Sequence, residues 1–245
     1  MTQRIAVVTG GMGGLGLAIC QALAHAGRKV IAADLPASPE RQDHFRAQTA
    51  SLDIETAALD VADFDACTAF VQDVQVRHGA LDILVNNAGI TRDATLRKMD
   101  KAQWDDVMGV NLDSVFNLCR PAIDGMQSRG YGRIVNICSV SGQTGNFGQV
   151  NYAAAKAGLH GFTMSLAREV ARKGITVNSV SPGYVETPMT RAMPDDVRER
   201  TVASVPVGRI GQPDDIARAV AFLTADDAGY ITGANLPVNG GLFMS

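Results

Sequence analysis

The sequence predicts an α/β fold, a single doubly wound parallel sheet with helices on both faces, and three observations carry that prediction. Short, nearly all-apolar runs alternate with longer amphipathic stretches from one end of the chain to the other, the pattern of strand and helix units wound into a parallel sheet. The first apolar run leads straight into a glycine-rich turn, Thr9-Gly10-Gly11-Met12-Gly13-Gly14-Leu15-Gly16. The composition, 46% hydrophobic and 19% charged over 245 residues, suits one domain with an ample core and no second domain or linker.

In chain order, the expected strands are residues 4–9, 29–33, 54–58, 83–86, 132–137, 175–180 and 235–238. Each is short and almost wholly apolar, as a strand covered on both faces must be. Helical patterns fall between them at 15–26, 63–78, 101–127, 152–172 and 213–224. The stretch from Gly183 to Gly211 breaks the rhythm, with prolines and glycines near its ends and polar residues between; an insertion of that length after a strand is a lid candidate.

Charge and cysteine usage narrow the function classes. Twenty-two basic and twenty-five acidic side chains give a net charge of −3 with no long run of one sign, which argues against nucleic acid as a partner. Cys20, Cys67, Cys119 and Cys138 are scattered, with no C-x-x-C pair and no histidine at ligand spacing. This reads as buried thiols in a reducing compartment, with neither disulfide nor metal site. No apolar signal region precedes Gly10 and no segment approaches 18 uninterrupted apolar residues, so the expectation is a soluble, cytoplasmic protein without a membrane partner.

The glycine-rich turn lies where a strand hands over to a helix. Backbone without side chains approaches a pyrophosphate closely, and the free N–H groups and positive dipole end of the helix favour its charge. Two spacings overlap here: G-x-G-x-x-G on Gly11, Gly13 and Gly16, and T-G-x-x-x-G-x-G on Thr9, Gly10, Gly14 and Gly16. The turn as a whole, Gly10 to Gly16 with Met12 and Leu15, is the candidate cofactor cradle. Asp34 ends the second strand, where a carboxylate accepts both hydroxyls of an adenosine ribose and repels a 2′-phosphate. Asp60 and Val61, after the third strand, are candidates for the adenine, with Asp60 equally readable as a helix cap.

Tyr152 and Lys156 stand at i and i+4 at the start of a helix and therefore share one face. An ammonium beside a phenol favours phenolate and lowers its pKa, which suits the hydroxyl to proton exchange with a substrate carbonyl. Ser139 ends a strand at a carboxyl edge, where doubly wound sheets bind ligands.

The glycine turn, Asn86-Asn87-Ala88-Gly89, Asn111, Ser139, the Tyr152/Lys156 pair and Pro182-Gly183 occur in an order, over nearly the whole chain, that resembles the short-chain dehydrogenase/reductase family. The resemblance implies a Rossmann-type sheet of seven strands and a catalytic set of four. Tyr152 would be the acid, Ser139 would hydrogen-bond the substrate carbonyl, and Lys156 would hold the nicotinamide ribose and lower the tyrosine pKa. Asn111 would anchor a water linking Lys156 to solvent. Asn87, Ala88 and Gly89 would support the central sheet and the adenosine-side ribose, and Pro182, Gly183, Val185 and Thr187 would lie at the nicotinamide end. A homotetramer built partly on the long central helices is implied as well.

Within that family, Asn87-Ala88-Gly89-Ile90-Thr91-Arg92-Asp93 and Val238-Asn239-Gly240-Gly241 are shared by two branches, the acetoacetyl-CoA reductases of polyhydroxybutyrate synthesis and the 3-oxoacyl-(acyl carrier protein) reductases of fatty acid synthesis. The segments 123–126, 145–149 and 158–164 are similar to the first branch; residues 183–200 and 213–232 look more like the second. The expected substrate is acetoacetyl-CoA or another short β-ketoacyl thioester, giving an (R)-3-hydroxyacyl product. Phe147, Gln149 and Tyr184 join Ser139 and Tyr152 as substrate residues, and Arg129, Arg168, Arg172 and Lys173 form a basic group that could meet CoA phosphates or an acidic carrier. The chain departs from the reductase pattern at Asp34, and at Glu40 beside Arg41 where paired arginines are expected; like-charge repulsion of a 2′-phosphate predicts NADH over NADPH, with Arg41 a partial rescue for NADPH. A non-catalytic NAD-binding sensor is the reading from another class, since fold alone does not prove turnover.

Overall fold

The computed structural model describes residues 3–186 and 195–244. Seven parallel strands form one sheet in the order β3-β2-β1-β4-β5-β6-β7: β1 (Ile5–Thr9), β2 (Lys29–Asp34), β3 (Ile54–Ala58), β4 (Ile83–Asn86), β5 (Gly132–Ile137), β6 (Ile175–Pro182) and β7 (Asn235–Val238). All seven expected strands are present. The chain winds outward from β1 through β2 to β3, then crosses to β4 and winds the other way. Strand order therefore reverses between β1 and β4, and ligands of open α/β sheets bind outside the carboxyl ends of the strands at such a point.

Alternate side chains of each strand feed two separate cores. Ile5, Val7, Ile31, Leu84, Ile134 and Val177 face the layer that holds α3 (Phe64–His78), α5 (Ser114–Arg129) and α7 (Val150–Val170). Ala6, Val8, Val30, Ile83, Val135 and Val180 face α1 (Gly14–His25) and α9 (Pro213–Leu223). Both faces of every central strand are apolar because both are covered.

Helix starts follow local capping chemistry. Ser38 accepts from the Arg41 N–H with Pro39 in the first helical position of α2 (Pro39–Thr49), and Asp63 caps α3 through the Ala66 N–H. Asp100 and Gln103 form a reciprocal capping box at α4 (Lys101–Met108). Helix α2 is absent from the sequence expectation because it carries no apolar stripe: only Phe45 and Thr49 are buried.

The single helix expected over 101–127 is interrupted. Between α4 and α5, residues Gly109–Asp113 form one wide π-type turn. The Asn111 side-chain amide donates to the Val107 carbonyl at 2.9 Å, and the Ser114 hydroxyl donates to the Val110 carbonyl at 2.6 Å. Side chains thus compete for carbonyls that the regular ladder would use. Two further short helices, α6 (Ser141–Thr144) and α8 (Asp195–Ser204), lie where no helix is expected; α8 falls inside the lid candidate.

Candidate active site

The carboxyl ends of β1, β4, β5 and β6 open onto one cleft of about 1390 Å³. The glycine turn forms its floor, and the geometry separates the overlapping motifs. Gly10 takes the left-handed conformation (φ +60°), and Gly10, Gly13, Gly14, Leu15 and Gly16 line the cleft. A Cβ on Gly16 would lie 2.1 Å from the Gly10 carbonyl oxygen, so the helix start and the turn touch backbone to backbone. Gly11 faces inward instead: its Cβ would lie 2.8 Å from Ala32 on β2. Gly11 and Met12 are not among the lining residues; the Met12 N–H donates to Asp34 Oδ2 at 3.0 Å.

Asp34 closes one end of the cleft. Its Oδ1 accepts from the Leu35 N–H at 2.9 Å, and Oδ2 accepts from Arg41 Nη2 at 2.9 Å as well as from Met12. Arg41, from α2, is thus already an ion-pair partner of the carboxylate. Asp60 and Val61 line the same end. Asp60 is not a helix cap, since Asp63 has that role; its Oδ1 accepts from the Ala62 N–H at 2.9 Å.

Asn87 joins β4 to the glycine turn, donating from Nδ2 to the Thr9 carbonyl at 2.8 Å, while the N–H groups of Asn87 and Ala88 both donate to Thr9 Oγ1 at 3.0 Å. Gly89 is the point of closest approach beyond it. A Cβ there would lie 2.7 Å from Asn111 Oδ1 and 3.5 Å from Lys156 Nζ. The Asn111 amide bonds the Ile90 carbonyl and Val107 carbonyl at 2.9 Å each, and its Oδ1 accepts from the Ile90 N–H at 3.2 Å. Both amide protons go to backbone, so this side chain ties the π-type turn to the loop after β4.

The four residues of the expected catalytic set converge. Ser139 follows β5, its Oγ accepts from the Ser141 N–H at 3.1 Å, and it hydrogen-bonds the Tyr152 hydroxyl. Lys156 is 3% exposed, donates to the Ile137 carbonyl at 2.8 Å and lies 5.6 Å from the centre of the Tyr152 ring. Burial pushes its pKa down to about 8. The expectation that Lys156 lowers the phenol pKa needs correction. Burial dominates at Tyr152 and raises it; the Ser139 hydrogen bond lowers it, and the neighbouring Cys138 and the Asp93 carboxylate raise it further. The ammonium here serves a backbone carbonyl, not the phenol oxygen.

Tyr184, Pro182, Gly183, Val185 and Gln149 line the cleft. Phe147 does not: it is 89% exposed, standing out from the rim instead of walling the pocket or packing inside the lid. Thr187 lies outside the described residues. Arg129 is tied to the Leu81 carbonyl at 2.6 Å, at the edge of the sheet where the strands begin, and Arg168, Arg172 and Lys173 end α7 and its extension just before β6. Within one chain this basic group therefore lies at the edge opposite the cleft. Asp93, Ser141 and Asn146 also line the cleft, outside the expected site; Asp93 closes the Asn87–Asp93 segment, the one sequence feature that points to it.

The glycine cradle, too tight for side chains at Gly16 and Gly11, and the carboxylate at Asp34 fit a dinucleotide. The comparisons with known proteins agree. A family model described as enoyl-(acyl carrier protein) reductase matches residues 10–243. An acetoacetyl-CoA reductase of Allochromatium vinosum is 55% identical over 243 residues, covering 98% of this chain and 99% of the relative. A 3-oxoacyl-[acyl-carrier-protein] reductase of Vibrio cholerae is 47% identical over 241 residues, covering 98% of each. The crystal structure of gox2181 superposes with a TM-score of 0.92 at 36% identity, covering 99% of this chain and 96% of that one. With seven parallel strands, the glycine turn and the converging serine, tyrosine and lysine, the chain belongs to the short-chain dehydrogenase/reductase family.

Proposed function

We propose that this protein is an acetoacetyl-CoA reductase of polyhydroxybutyrate synthesis, preferring NADH and giving (R)-3-hydroxybutyryl-CoA. The observation that carries the substrate is the 55% identity, over almost the full length of both chains, to an acetoacetyl-CoA reductase. The carrier-protein reductase of fatty acid synthesis is the second reading, supported by the 47% identity of that relative.

A bound nicotinamide dinucleotide supplies the hydride. Its pyrophosphate would lie on Gly10, Gly13, Gly14 and Gly16 at the amino end of α1, its adenosine toward Asp34, Asp60 and Val61 with Asn87, Ala88 and Gly89 on the adenosine-side ribose, and its nicotinamide half toward Tyr152, Lys156, Pro182, Gly183 and Val185, with Thr187 beyond. Ser139 Oγ donates to the substrate carbonyl oxygen, and Tyr152 gives its hydroxyl proton to that oxygen as it becomes an alcohol. Lys156, still mainly an ammonium at neutral pH with its pKa at about 8, would hold the nicotinamide ribose, its place in the resting site being fixed by the Ile137 carbonyl. Tyr184 and Gln149 flank the acyl group.

NADH preference rests on Asp34. A 2′-phosphate would meet its carboxylate, and the only offset within the described part of this end of the cleft is Arg41, which Asp34 already holds. The protein acts in the cytoplasm, and the exposed small residues Ala154, Ala157 and Gly158 on α7 support a homotetramer. One experiment tests substrate and cofactor together: steady-state kcat/KM for acetoacetyl-CoA and for its carrier-protein counterpart, each with NADH and NADPH. The expected order is CoA above carrier and NADH above NADPH, with Asp34→Gly moving the nucleotide ratio toward NADPH. A higher value with the carrier substrate, or with NADPH, overturns the corresponding half; tight NADH binding with no turnover of either thioester would point to a sensor.

A further inference from the structure

One wall of the cleft is held in a way that the proposed reaction does not explain. Thr144, the last residue of α6, and residues 145–147 after it are all exposed, and none of Thr144–Gly148 is buried. Phe147 points to solvent, and Gly145 and Gly148 both take left-handed conformations (φ +71° and +77°). Apolar burial therefore does not fix this segment, although it carries Gln149 and lies against Ser141. Polar ties to the loop after β4 do. The Ala94 N–H donates to the Gly148 carbonyl at 2.9 Å, and the Asn151 amide donates to the Arg92 carbonyl at 3.2 Å.

Between these two ties lies a side-chain bond of a different kind: Gln149 Nε2 donates to Asp93 Oδ2 at 3.0 Å. We propose that Asp93 is a positioning residue, whose carboxylate fastens Gln149 and through it sets the wall of the cleft and the orientation of Ser139. A carboxylate can only accept, so it selects the nitrogen end of the Gln149 amide. The oxygen end is thereby turned to Ser141 Oγ at 3.3 Å and Asn146 Nδ2 at 2.9 Å. Ser141 in turn gives its N–H to Ser139 Oγ at 3.1 Å. The chain Asp93, Gln149, Ser141, Ser139 runs without a break from a loop carboxylate to the hydroxyl that faces the substrate carbonyl. Its first link is charge-assisted, the strong class of hydrogen bond. The inference rests on the proposed reduction of a β-ketoacyl thioester for its kinetic reading, but the clamp itself is a statement about the protein alone.

Both parts are tested on the full chain with Asp93→Ala, Asp93→Asn, Gln149→Ala and the double variant Asp93→Ala/Gln149→Ala. Hydrogen exchange reads the clamp without any substrate: amides of residues 145–149 should exchange several-fold faster in Asp93→Ala and stay near wild type in Asp93→Asn, which keeps an acceptor for Gln149. In steady state, Asp93→Ala should raise KM for acetoacetyl-CoA about tenfold and lower kcat less, consistent with losing one charge-assisted bond, with NADH affinity unchanged. The double variant should be no worse than Gln149→Ala, because the two residues act as one unit. Unchanged exchange in Asp93→Ala overturns the clamp. Additive losses in the double variant, or equal damage from Asp93→Asn, overturn the route through Gln149. If wild-type protein does not turn over the thioester, the functional reading fails while the exchange result still decides the clamp.

Discussion

Replacing Lys156 by methionine removes a buried charge while keeping a long, unbranched side chain. Burial lowers the lysine pKa from its ordinary 10.5 to about 8, which corresponds to about 3 kcal/mol favouring the neutral over the charged form in the folded protein relative to the unfolded chain. The sign follows from proton binding. From about pH 8 to 10.5 the unfolded chain keeps this proton and the folded protein does not, so folding stability rises with pH across that window. Integrated from about pH 7 to 9.5, the contribution is about 2 kcal/mol, and Lys156→Met lacks it. At pH 7, where the lysine is charged in both states, the substitution removes the desolvated ammonium but strands the Ile137 carbonyl that Nζ bonds at 2.8 Å. A lost partner for a buried carbonyl costs about 1–3 kcal/mol, so the net change there is small and of either sign. The diagnostic quantity is therefore the pH dependence of the difference. Thermal or urea unfolding of both proteins, at one fixed protein concentration, should show wild type gaining on the variant by about 2 kcal/mol between those pH values, or about 4–8 °C in Tm for a chain of this size. Parallel pH profiles would refute the reasoning, because a solvated lysine contributes no such difference.

The same structure makes two further predictions. Gly16→Ala should weaken NADH binding about a hundredfold or more and lower stability by about 1–3 kcal/mol, since the new methyl would need the space of the Gly10 carbonyl oxygen, 2.1 Å away; fluorescence titration with an unchanged Kd would show that the turn can open. Tyr152→Phe should lower kcat by about 10²–10⁴-fold while NADH affinity stays within about twofold, and retained turnover would assign the proton to another group.

Much of the site was readable in one dimension because its parts lie at strand ends, and strand ends are marked by where short apolar runs stop. Gly10 to Gly16, Asp34, Asn87 and Ser139 all occupy such ends, and the fold gathers them because strands that run parallel place their carboxyl ends on one edge. Tyr152 and Lys156 were readable for a different reason, helical periodicity. What the pattern did not carry were features without an apolar signature. Helix α2 is solvent-covered, and it is α2 that brings Arg41 onto Asp34. The π-type turn at Asn111 arises from side-chain bonds to carbonyls that no periodicity announces. Phe147 is an aromatic whose type suggests a wall, yet two left-handed glycines at 145 and 148 turn its loop outward.

By itself, then, the order of residues determined the α/β class, the seven strands and which side chains meet at the strand ends, since covered strands and amphipathic helices are written in local composition. Only the tertiary structure decided how those side chains behave. Whether Gly11 meets a cofactor or packs on Ala32, whether Asp34 is bare or paired, and whether burial outweighs a neighbouring cation at Tyr152 depend on atoms supplied by distant segments. Desolvation and ion pairing are properties of that assembled surrounding, and they come into being only when the sheet closes over the lysine.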